Sequence, residues 1–442
     1  MDLLEKVKAA GVIGAGGAGF PTYVKLGSKA EYLLMNGAEC EPLLRVDQQL
    51  MAVYSDEILK GFQLAKNQVE AKTAIIGVKS KHGALIELLN DRIAALGLMD
   101  EMSVHPLPDV YPAGDEQVLV YELTGRVVPE MGIPIAVGCV VINSETALNI
   151  YKASQDEAVT LKYVTVAGEV PAPLTVSVPV GTPIRELLKM AGVVNTEGIE
   201  IIDGGPMMGP LLDDIDGFVS KKTKGLVALP AEHSLIKKKQ QTMKSAEIIN
   251  KSACEQCRMC TDLCPRYLLG HSTVPHKMVR AMAYNVEADE LMTAAQTCCQ
   301  CNLCEYFSCP AGISPKKANV FYMNKLKEKG IKHKPESEFK PREMREYRMI
   351  PSKRLIARLE LTSYDRAAEL KLTEDYMPET VGIYLAPHVG AKAVPSVKKG
   401  DIVKKGDIIG DVPEGSLGVP VHASIDGTVT EINDKLILIR RN

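Results

Sequence analysis

The sequence contains no tryptophan, and aromatic residues make up only 5% of its 442 residues. This scarcity argues against aromatic stacking platforms for bases or sugars. A formal net charge of −3 gives no electrostatic reason to expect nucleic acid or an anionic membrane surface as the main partner. No stretch approaches the roughly 18 apolar residues of a membrane helix, and the N-terminus lacks the pattern of a signal peptide. We therefore expect a cytoplasmic protein without a membrane span.

The length and a hydrophobic fraction of 46% predict a multidomain α/β protein in which each domain buries its own core. Short apolar runs alternate with helical patterns over residues 1–155, which predicts an α/β layer domain. Residues 160–231 carry short β runs around one helix, a pattern that favours a β-grasp module. Residues 232–350 predict helices separated by cysteine loops. Residues 380–442 predict a compact barrel-sandwich built from strands and turns.

Eleven cysteines are present, and nine of them lie between residues 254 and 309. Such crowding in a reducing compartment indicates metal binding rather than disulfides. The first run has the ferredoxin spacing C-x2-C-x2-C-x3-C-P and consists of Cys254, Cys257, Cys260 and Cys264, followed by Pro265. The second run precedes Pro310 and consists of Cys298, Cys301, Cys304 and Cys309. Each proline suits the first turn of a helix, where no N–H donor is needed.

Two such runs predict a pair of [4Fe-4S] clusters with crossed ligation, in which the fourth cysteine of each run binds the other cluster. One cluster would then have the ligands Cys254, Cys257, Cys260 and Cys309. The other would have the ligands Cys298, Cys301, Cys304 and Cys264. The second run has one residue more before its last cysteine than the first run, and Cys299 could replace Cys298 after a shift of one position. The alternative is a pair of zinc sites, although four cysteines within eleven residues are too dense for one tetrahedral ion.

A glycine-rich segment at residues 11–22 formally satisfies G-x-G-x-x-G with Gly14, Gly16 and Gly19. The dinucleotide-binding fingerprint must follow a strand, whereas residues 2–10 predict a helix, so a Rossmann unit is not favoured. Glycines at this density still let backbone N–H groups approach a phosphate closely. The alternative is an ordinary glycine turn.

Several segments carry a family resemblance. The glycine segment, NGAECEP at 36–42, YPAGDE at 111–116 and INSET at 142–146 resemble, in that order, the flavin-site segments of RnfC and of the NADH-oxidising flavin subunit of respiratory complex I. GGPMMGP at 204–210 is similar to the β-grasp (SLBB) module of the same group. The barrel-sandwich motif PVHASIDGTV stands near the C-terminus, whereas RnfC carries it at the N-terminus. This order resembles the PduS-type corrinoid reductases of propanediol-utilising microcompartments.

The resemblance implies an FMN site and assigns residues to it. The residues that would meet the FMN phosphate or ribityl chain are Gly14, Gly16, Gly17, Gly19 and Lys25. The residues that would complete the flavin pocket are Asn36, Glu116, Asn143 and Thr146. Glu39 and Glu41 match an acidic pair on the nicotinamide side. No side chain is expected to act as a nucleophile or general base, because the cofactors carry the chemistry.

The function implied by the resemblance is NADH-dependent electron transfer through FMN and two [4Fe-4S] clusters to cobalamin, which would be reduced to cob(I)alamin. The partner would be a corrinoid adenosyltransferase of the PduO type, with microcompartment shell proteins as further candidates and a bacterial microcompartment as the location. Two alternatives stay open. One is an RnfC-like subunit that passes electrons to another acceptor, and the other is a non-catalytic, electron-conducting scaffold.

Overall fold

The computed structural model describes residues 1–286, 288–335, 338–373 and 376–442. Its N-terminal part is a parallel sheet flanked by helices. The strands of this part are β1 (Tyr32–Gly37), β2 (Thr73–Lys79), β3 (Met102–Leu107), β4 (Val110–Tyr111) and β5 (Cys139–Asn143). The helices are α1 (Leu3–Ala9), α2 (Thr22–Leu26), α3 (Val46–Val53), α4 (Ser55–Gln68), α5 (Gly83–Ala95), α6 (Glu116–Thr124) and α7 (Ser144–Ser154), with a 3-10 helix at Pro134–Val137.

The main sheet has the order β3-β2-β1-β5, and all its neighbouring strands are parallel. Every residue of β5 is buried, as expected for a parallel strand whose two faces are covered by helices. Helices α4 and α7 pack so closely that a Cβ at Gly61 would overlap the carbonyl of Ala147. The parallel arrangement brings the carboxyl ends of β1 and β5 to the same edge, with Asn36 opposite Asn143.

A second sheet follows, with the strands β6 (Leu161–Gly168), β7 (Leu174–Pro179), β8 (Ile199–Asp203) and β9 (Gly225–Pro230) and the helix α8 (Ile184–Met190). β6 pairs antiparallel with β7 and parallel with β9, while β8 and β9 are antiparallel. This mixed sheet around one helix is the predicted β-grasp arrangement. The loop at residues 204–210 follows β8 directly.

The cysteine-rich part is helical, as predicted. Its helices are α9 (Ser234–Gln240), α10 (Met243–Ala253), α11 (Met259–Asp262), α12 (Pro265–Leu268), α13 (Pro275–Ala283), α14 (Pro315–Glu328) and α15 (Arg345–Arg348), with a 3-10 helix at Asp289–Thr297 and a π-helix at Cys304–Ser308. Pro265 begins α12, which confirms that prediction. The same prediction for Pro310 is wrong, because Pro310 lies in a turn and α14 begins only at Pro315.

The C-terminal part first adds short strands to the earlier regions and then forms β sheets of its own. Its elements are β10 (Ile350–Pro351), α16 (Ser352–Arg358), a 3-10 helix at Thr362–Tyr364, β11 (Leu370–Lys371), β12 (Thr380–Tyr384), β13 (Val394–Pro395), β14 (Ile402–Val403), β15 (Ile408–Asp411), β16 (Val421–His422), β17 (Gly427–Ile432) and β18 (Leu436–Arg440). β10 pairs with β4, and β11 pairs with β7. The later strands form two sheets, β12-β18-β17-β14 and β13-β15-β16, around an apolar core. This is the predicted barrel-sandwich.

One apolar core joins the regions. It contains Tyr111 from the N-terminal part, Met207 from the β-grasp loop, Cys301 and Leu303 from the second cysteine run, and Leu355 from α16. The cysteine-rich part is therefore packed against both the first sheet and the β-grasp module. The exact domain boundaries given above stay predictions. Among the described residues, no helix combines the length and the apolar character that a membrane crossing requires.

Candidate cofactor-binding sites

The glycine loop follows a helix, as the sequence predicts. Asp2 caps α1 by accepting a hydrogen bond from the Glu5 amide at 2.8 Å. The loop is closed by a hydrogen bond from the Gly14 amide to the Phe20 carbonyl at 2.9 Å. A helix and not a strand precedes the loop, so the loop is not the glycine turn of a Rossmann unit.

The glycine loop is fixed on the N-terminal end of α7. The Ala15 amide donates to Oγ1 of Thr146 at 3.1 Å. A Cβ at Gly16 would lie 3.2 Å from the Asn143 side chain, which caps the same helix by accepting from the Glu145 amide. Gly17 has no atom within 4 Å of the position of a Cβ. The loop thus combines free backbone at Gly17 with the positive end of a helix dipole, an arrangement suited to an anion.

Asn36 and Asn143 stand side by side at the carboxyl ends of β1 and β5. The Asn36 amide group donates to the Gly114 carbonyl at 2.8 Å, and that of Asn143 donates to Oδ1 of Asp47 at 2.9 Å. Hydrogen bonds within the protein thus fix the orientation of both side-chain amides. The structure brings Asn36, Asn143 and Thr146 of the predicted flavin pocket to one edge of the sheet.

Lys25 and Glu116 form an ion pair beside this edge. Nζ of Lys25 lies 2.9 Å from Oε1 of Glu116 and donates to the Val141 carbonyl at 3.1 Å. Their side chains are 34% and 40% exposed, so solvent screening keeps the pair weak and its members available to a ligand.

The predicted acidic residue Glu39 belongs to a buried charge cluster with Asp47 and Lys224. Oε2 of Glu39 accepts from the Asp47 amide at 2.5 Å, and Nζ of Lys224 lies 2.5 Å from Oδ2 of Asp47 and 3.8 Å from Oε1 of Glu39. Burial, reinforced by the charge of Asp47, raises the pKa of Glu39 to about 7. Sequence reasoning missed Asp47 and Lys224, because nothing in their local patterns shows that segments far apart in the chain place them together.

Glu41 faces the β-grasp loop instead. Its carboxylate accepts from the amides of Met207 and Met208 at 2.8 and 2.9 Å. A Cβ at Gly205 would overlap this carboxylate, so only glycine fits there. Burial raises the pKa of Glu41, although the two amides oppose the rise. Glu39 and Glu41 therefore have different neighbours, and Glu41 links the N-terminal region to the loop at residues 204–210.

The cysteines form two neighbourhoods. Burial raises the pKa of the Cys260 thiol to about 12, and the nearby thiols that add to the rise are Cys309, Cys254 and Cys257. Burial also raises the pKa of the Cys264 thiol, whose thiol neighbours are Cys299 and Cys298. The thiol neighbours of Cys304 are first Cys298 and Cys264 and then Cys260, so Cys304 lies on the side of its own neighbourhood that faces the other. The last cysteine of each run thus lies with the other run.

The two runs have the same backbone shape. In the first run, the residues on either side of Cys257 have positive φ, 53° at Gln256 and 64° at Arg258. In the second run, the residues on either side of Cys301 do the same, with 57° at Gln300 and 62° at Asn302. Four non-glycine residues in this conformation show that both C-x2-C-x2-C segments wrap as tight turns.

The second run also contains a π-helix at Cys304–Ser308. A π turn accommodates one residue more than an α turn, which matches the extra residue between Cys304 and Cys309. Within the described parts of the chain, no three His, Cys, Asp or Glu side chains are placed to hold one metal ion. A cubane binds each cysteine through a different iron atom, so its ligands do not converge on a single point.

A buried donor beside the cysteines fits a cluster. Nη1 of Arg266 is buried without a hydrogen-bond partner in the described structure, and the sulfur atoms of a cluster are acceptors. The amide group of Asn302 donates to the Met207 carbonyl at 2.6 Å, and the hydroxyl of Tyr111 donates to the Cys301 carbonyl at 2.7 Å. The second run is therefore held directly against the β-grasp loop and the end of β4. Sequence reasoning missed Tyr111 and Arg266, although both stand inside or beside motifs that it identified.

Family models match four segments of the chain. They are the Nuo51 FMN-binding domain at residues 7–152, the SLBB domain at 163–211, a 4Fe-4S dicluster domain at 253–314 and the RnfC barrel sandwich hybrid domain at 362–441. The predicted fold class and the order of its modules are confirmed. The FMN-binding and dicluster modules lie on the segments with the glycine loop and the two cysteine runs.

Relatives match over nearly the full length. Cobalamin reductase PduS of Citrobacter freundii is 45% identical over 440 residues, which cover 99% of this chain and 96% of the relative. Cobalamin reductase PduS of Salmonella typhimurium is 43% identical and covers 100% of this chain and 96% of the relative. A component of the Na⁺-translocating ferredoxin:NAD⁺ oxidoreductase complex of Acetobacterium woodii is 34% identical over 60% of this chain and 58% of the relative. The chain belongs to the cobalamin reductase PduS family and is an oxidoreductase.

Proposed function

We propose that the protein passes electrons from NADH through FMN and two [4Fe-4S] clusters to cobalamin, and that it reduces cob(III)alamin or cob(II)alamin to cob(I)alamin for the regeneration of adenosylcobalamin. When bound, FMN supplies the conversion between the two-electron chemistry of NADH and the one-electron chemistry of the clusters. The observation that carries the proposal is the hydrogen bond from Tyr111 to Cys301, because it joins the predicted flavin region to a cysteine run.

The glycine loop is the proposed phosphate site of FMN. Its members are Gly14, Gly16, Gly17 and Gly19, and Lys25 of α2 is proposed to complete the site. The free backbone at Gly17 and the adjacent N-terminus of α7 support this role. The other proposed flavin-pocket residues are Asn36, Glu116, Asn143 and Thr146. Glu39 and Glu41 are proposed for the nicotinamide side, where they bind and orient rather than react.

The crossed ligand sets are also part of the proposal. Cys309 lies with the first run and Cys264 with the second, which supports the exchange of the last ligands. The matching positive-φ residues align Cys298 with Cys254, and this alignment favours Cys298 over Cys299 as the ligand. Cys299 then corresponds to Glu255, a position that makes no bond to iron.

The two proposed clusters differ in access to solvent. Cys264, Cys301 and Cys304 are buried, whereas Cys257 is exposed. We infer that the second run and Cys264 hold the cluster nearer the flavin and that the first run holds the cluster from which electrons leave. This order lets a flavin in the N-terminal region and an external acceptor act at opposite ends of the cluster pair.

A groove beside the exposed cluster is the proposed acceptor site. It has a volume of 420 Å³, and its lining includes Met259, Phe307, Pro310, Arg354 and Arg358. Arg358 also reaches the Cys309 carbonyl at 3.4 Å. Apolar and guanidinium groups together suit the corrin ring of cobalamin and the phosphate of its nucleotide loop. A PduO-type corrinoid adenosyltransferase and microcompartment shell proteins are the proposed partners, and the microcompartment is the proposed location.

A second candidate function is electron transfer from NADH to a different acceptor, as an RnfC-like subunit would perform. The 34% identity to the Acetobacterium woodii protein favours this candidate. A purely electron-conducting scaffold is the third candidate, and it requires no nicotinamide site.

The test is an anaerobic absorbance and paramagnetic-resonance spectrum of the purified holoprotein before and after NADH, with NADPH as the control. Bleaching of the flavin followed by cluster signals supports the electron path. Oxidation of those clusters by added cob(II)alamin, and not by ferredoxin, supports the cobalamin reductase. Oxidation by ferredoxin alone favours the RnfC-like candidate. Flavin that NADH does not bleach favours the scaffold.

A further inference from the structure

Arg266 is a buried cation with an unfilled donor. It follows Pro265 in α12, and the residue is 8% exposed. Its Nη2 donates to Oδ2 of Asp115 at 2.9 Å, while its Nη1 is buried without a hydrogen-bond partner in the described structure. A guanidinium carries five N–H donors, and a buried donor without an acceptor is costly. The site therefore indicates an acceptor other than the protein's oxygen and nitrogen atoms.

Sulfur atoms lie near this guanidinium. The thiols of Cys299 and Cys301 are its neighbours, and Cys264 stands two residues earlier in the chain. One ligand of the proposed inner cluster, Cys301, and the adjacent non-ligand Cys299 thus lie near one fixed positive charge. Burial at this position keeps water and salt from screening that charge.

Asp115 connects Arg266 to the flavin region. Its Oδ1 caps α6 by accepting from the amides of Gln117 and Val118 at 3.1 Å each, and its Oδ2 holds Arg266. The first residue of α6 is Glu116, a proposed flavin-pocket residue. One carboxylate therefore positions both the start of this helix and the guanidinium.

We propose that Arg266 is a positioning residue of the inner cluster, donating an N–H···S hydrogen bond to it and raising its reduction potential. Hydrogen bonds to sulfur and nearby charge are established determinants of cluster potentials. A positive charge stabilises the reduced cluster, which carries one more negative charge than the oxidised one. Asp115 offsets part of this effect while it holds the guanidinium in place. The inference rests on the clusters of the proposed function but not on its donor or acceptor.

Two substitutions with opposite expected signs test the proposal. Arg266→Gln keeps a polar side chain and removes the charge, so the midpoint potential of one cluster should fall. Asp115→Asn retains an N-cap residue and removes the opposing charge, so the same midpoint should rise. We expect at least a tenfold change in the one-electron equilibrium for Arg266→Gln, which corresponds to about 59 mV. The measurement is a dithionite titration of the holoprotein followed by paramagnetic resonance.

Arg342→Gln is the matched control, because Arg342 is an exposed guanidinium beside Tyr267 in the same segment. It should leave both midpoints unchanged. Equal midpoints in wild type and Arg266→Gln at full iron content would overturn the proposal, as would shifts of the same sign in the Arg266 and Asp115 variants. If Arg266→Gln loses iron, the other two variants test the proposal. Asp115→Asn should still raise the midpoint. Arg266→Lys keeps the charge and should keep the midpoint near the wild-type value. The titration uses neither NADH nor cobalamin, so a failed reductase assay leaves its result unaffected.

Discussion

The hydroxyl of Tyr111 donates a hydrogen bond to the main-chain carbonyl of Cys301 across 2.7 Å, although the two residues are 190 positions apart. Tyr111 ends β4 inside the segment that resembles a flavin site, and Cys301 is the central cysteine of the second run. Both residues are buried in one apolar core. This contact fixes the distance between two cofactor regions that the chain itself separates widely.

Tyr111→Phe should weaken the contact between the predicted flavin region and the second cysteine run without removing the cofactors. The substitution leaves the buried Cys301 carbonyl without its donor, which costs about 1–3 kcal/mol. The urea midpoint of the anaerobic holoprotein should therefore fall, while flavin and iron contents stay unchanged. Tyr347→Phe is the control, because Tyr347 is 82% exposed. Equal midpoints for the two variants would contradict the importance of the hydrogen bond.

Gly17→Val should reduce FMN content and leave the folded chain intact. The position has free space around its Cβ and no positive φ, so the protein itself does not resist the larger side chain. A phosphate bound at the loop would be excluded by that side chain. Flavin released by acid gives the FMN content, and thermal unfolding of the apoprotein gives the stability. Gly83→Val is the control, since Gly83 also has free space but lies outside the loop. Full FMN content in Gly17→Val would place the phosphate elsewhere.

Cys298→Ser and Cys299→Ser should have different effects on iron content. Alignment of the two runs by their positive-φ residues predicts that Cys298 is the ligand. Its substitution should lower iron from about eight to about four atoms per chain, as should Cys257→Ser in the other run. Cys299→Ser should retain both clusters. The reverse result would show that the second run is shifted by one residue. Cys139→Ala, outside both runs, controls for the loss of a thiol.

Glu39→Gln should change how stability depends on pH. Burial raises the pKa of Glu39 from 4.5 to about 7, so its protonated form contributes stability that is present below pH 4.5 and is lost as the pH rises through 7. Glutamine mimics the protonated form. The stability of Glu39→Gln relative to wild type should therefore increase between these values, by at most about 1.4 kcal/mol per pH unit. Urea unfolding at several pH values measures it, with exposed Glu87→Gln as the control. A difference that is constant with pH would mean that Glu39 has the same pKa in the folded and the unfolded chain.

Arg354→Glu should weaken the reaction with cobalamin. Arg354 lines the groove that is the proposed acceptor site beside the proposed outer cluster, and reversal of its charge should repel the phosphate of cobalamin. The KM for cob(II)alamin should rise several-fold at low salt, and the difference should shrink as salt screens the charge. NADH-dependent flavin bleaching should not change. Lys353→Glu is a matched control, because it makes the same charge change on the same helix. Equal KM values in the two variants would place the acceptor elsewhere.

Local patterns in the sequence were enough to predict several features. The helix before the glycine loop was predicted from apolar spacing and is confirmed as α1. The helix start at Pro265 was predicted from the lack of an N–H donor, whereas Pro310 was predicted wrongly because the segment after Cys309 first forms a turn. The reason for this turn lies in packing that the motif does not encode.

The sequence by itself predicted which cysteines bind iron, because cysteine spacing and backbone turn preferences act over a few positions, and it determined the order of the modules. Only the tertiary structure decided which groups share one environment. Asp47 meets Lys224, Tyr111 meets Cys301, and Asp115 meets Arg266 through contacts between distant segments. The desolvation that raises the pKa of Glu39 likewise exists only after those segments exclude water. Burial and long-range pairing are collective properties of the packed chain, and no local motif specifies them.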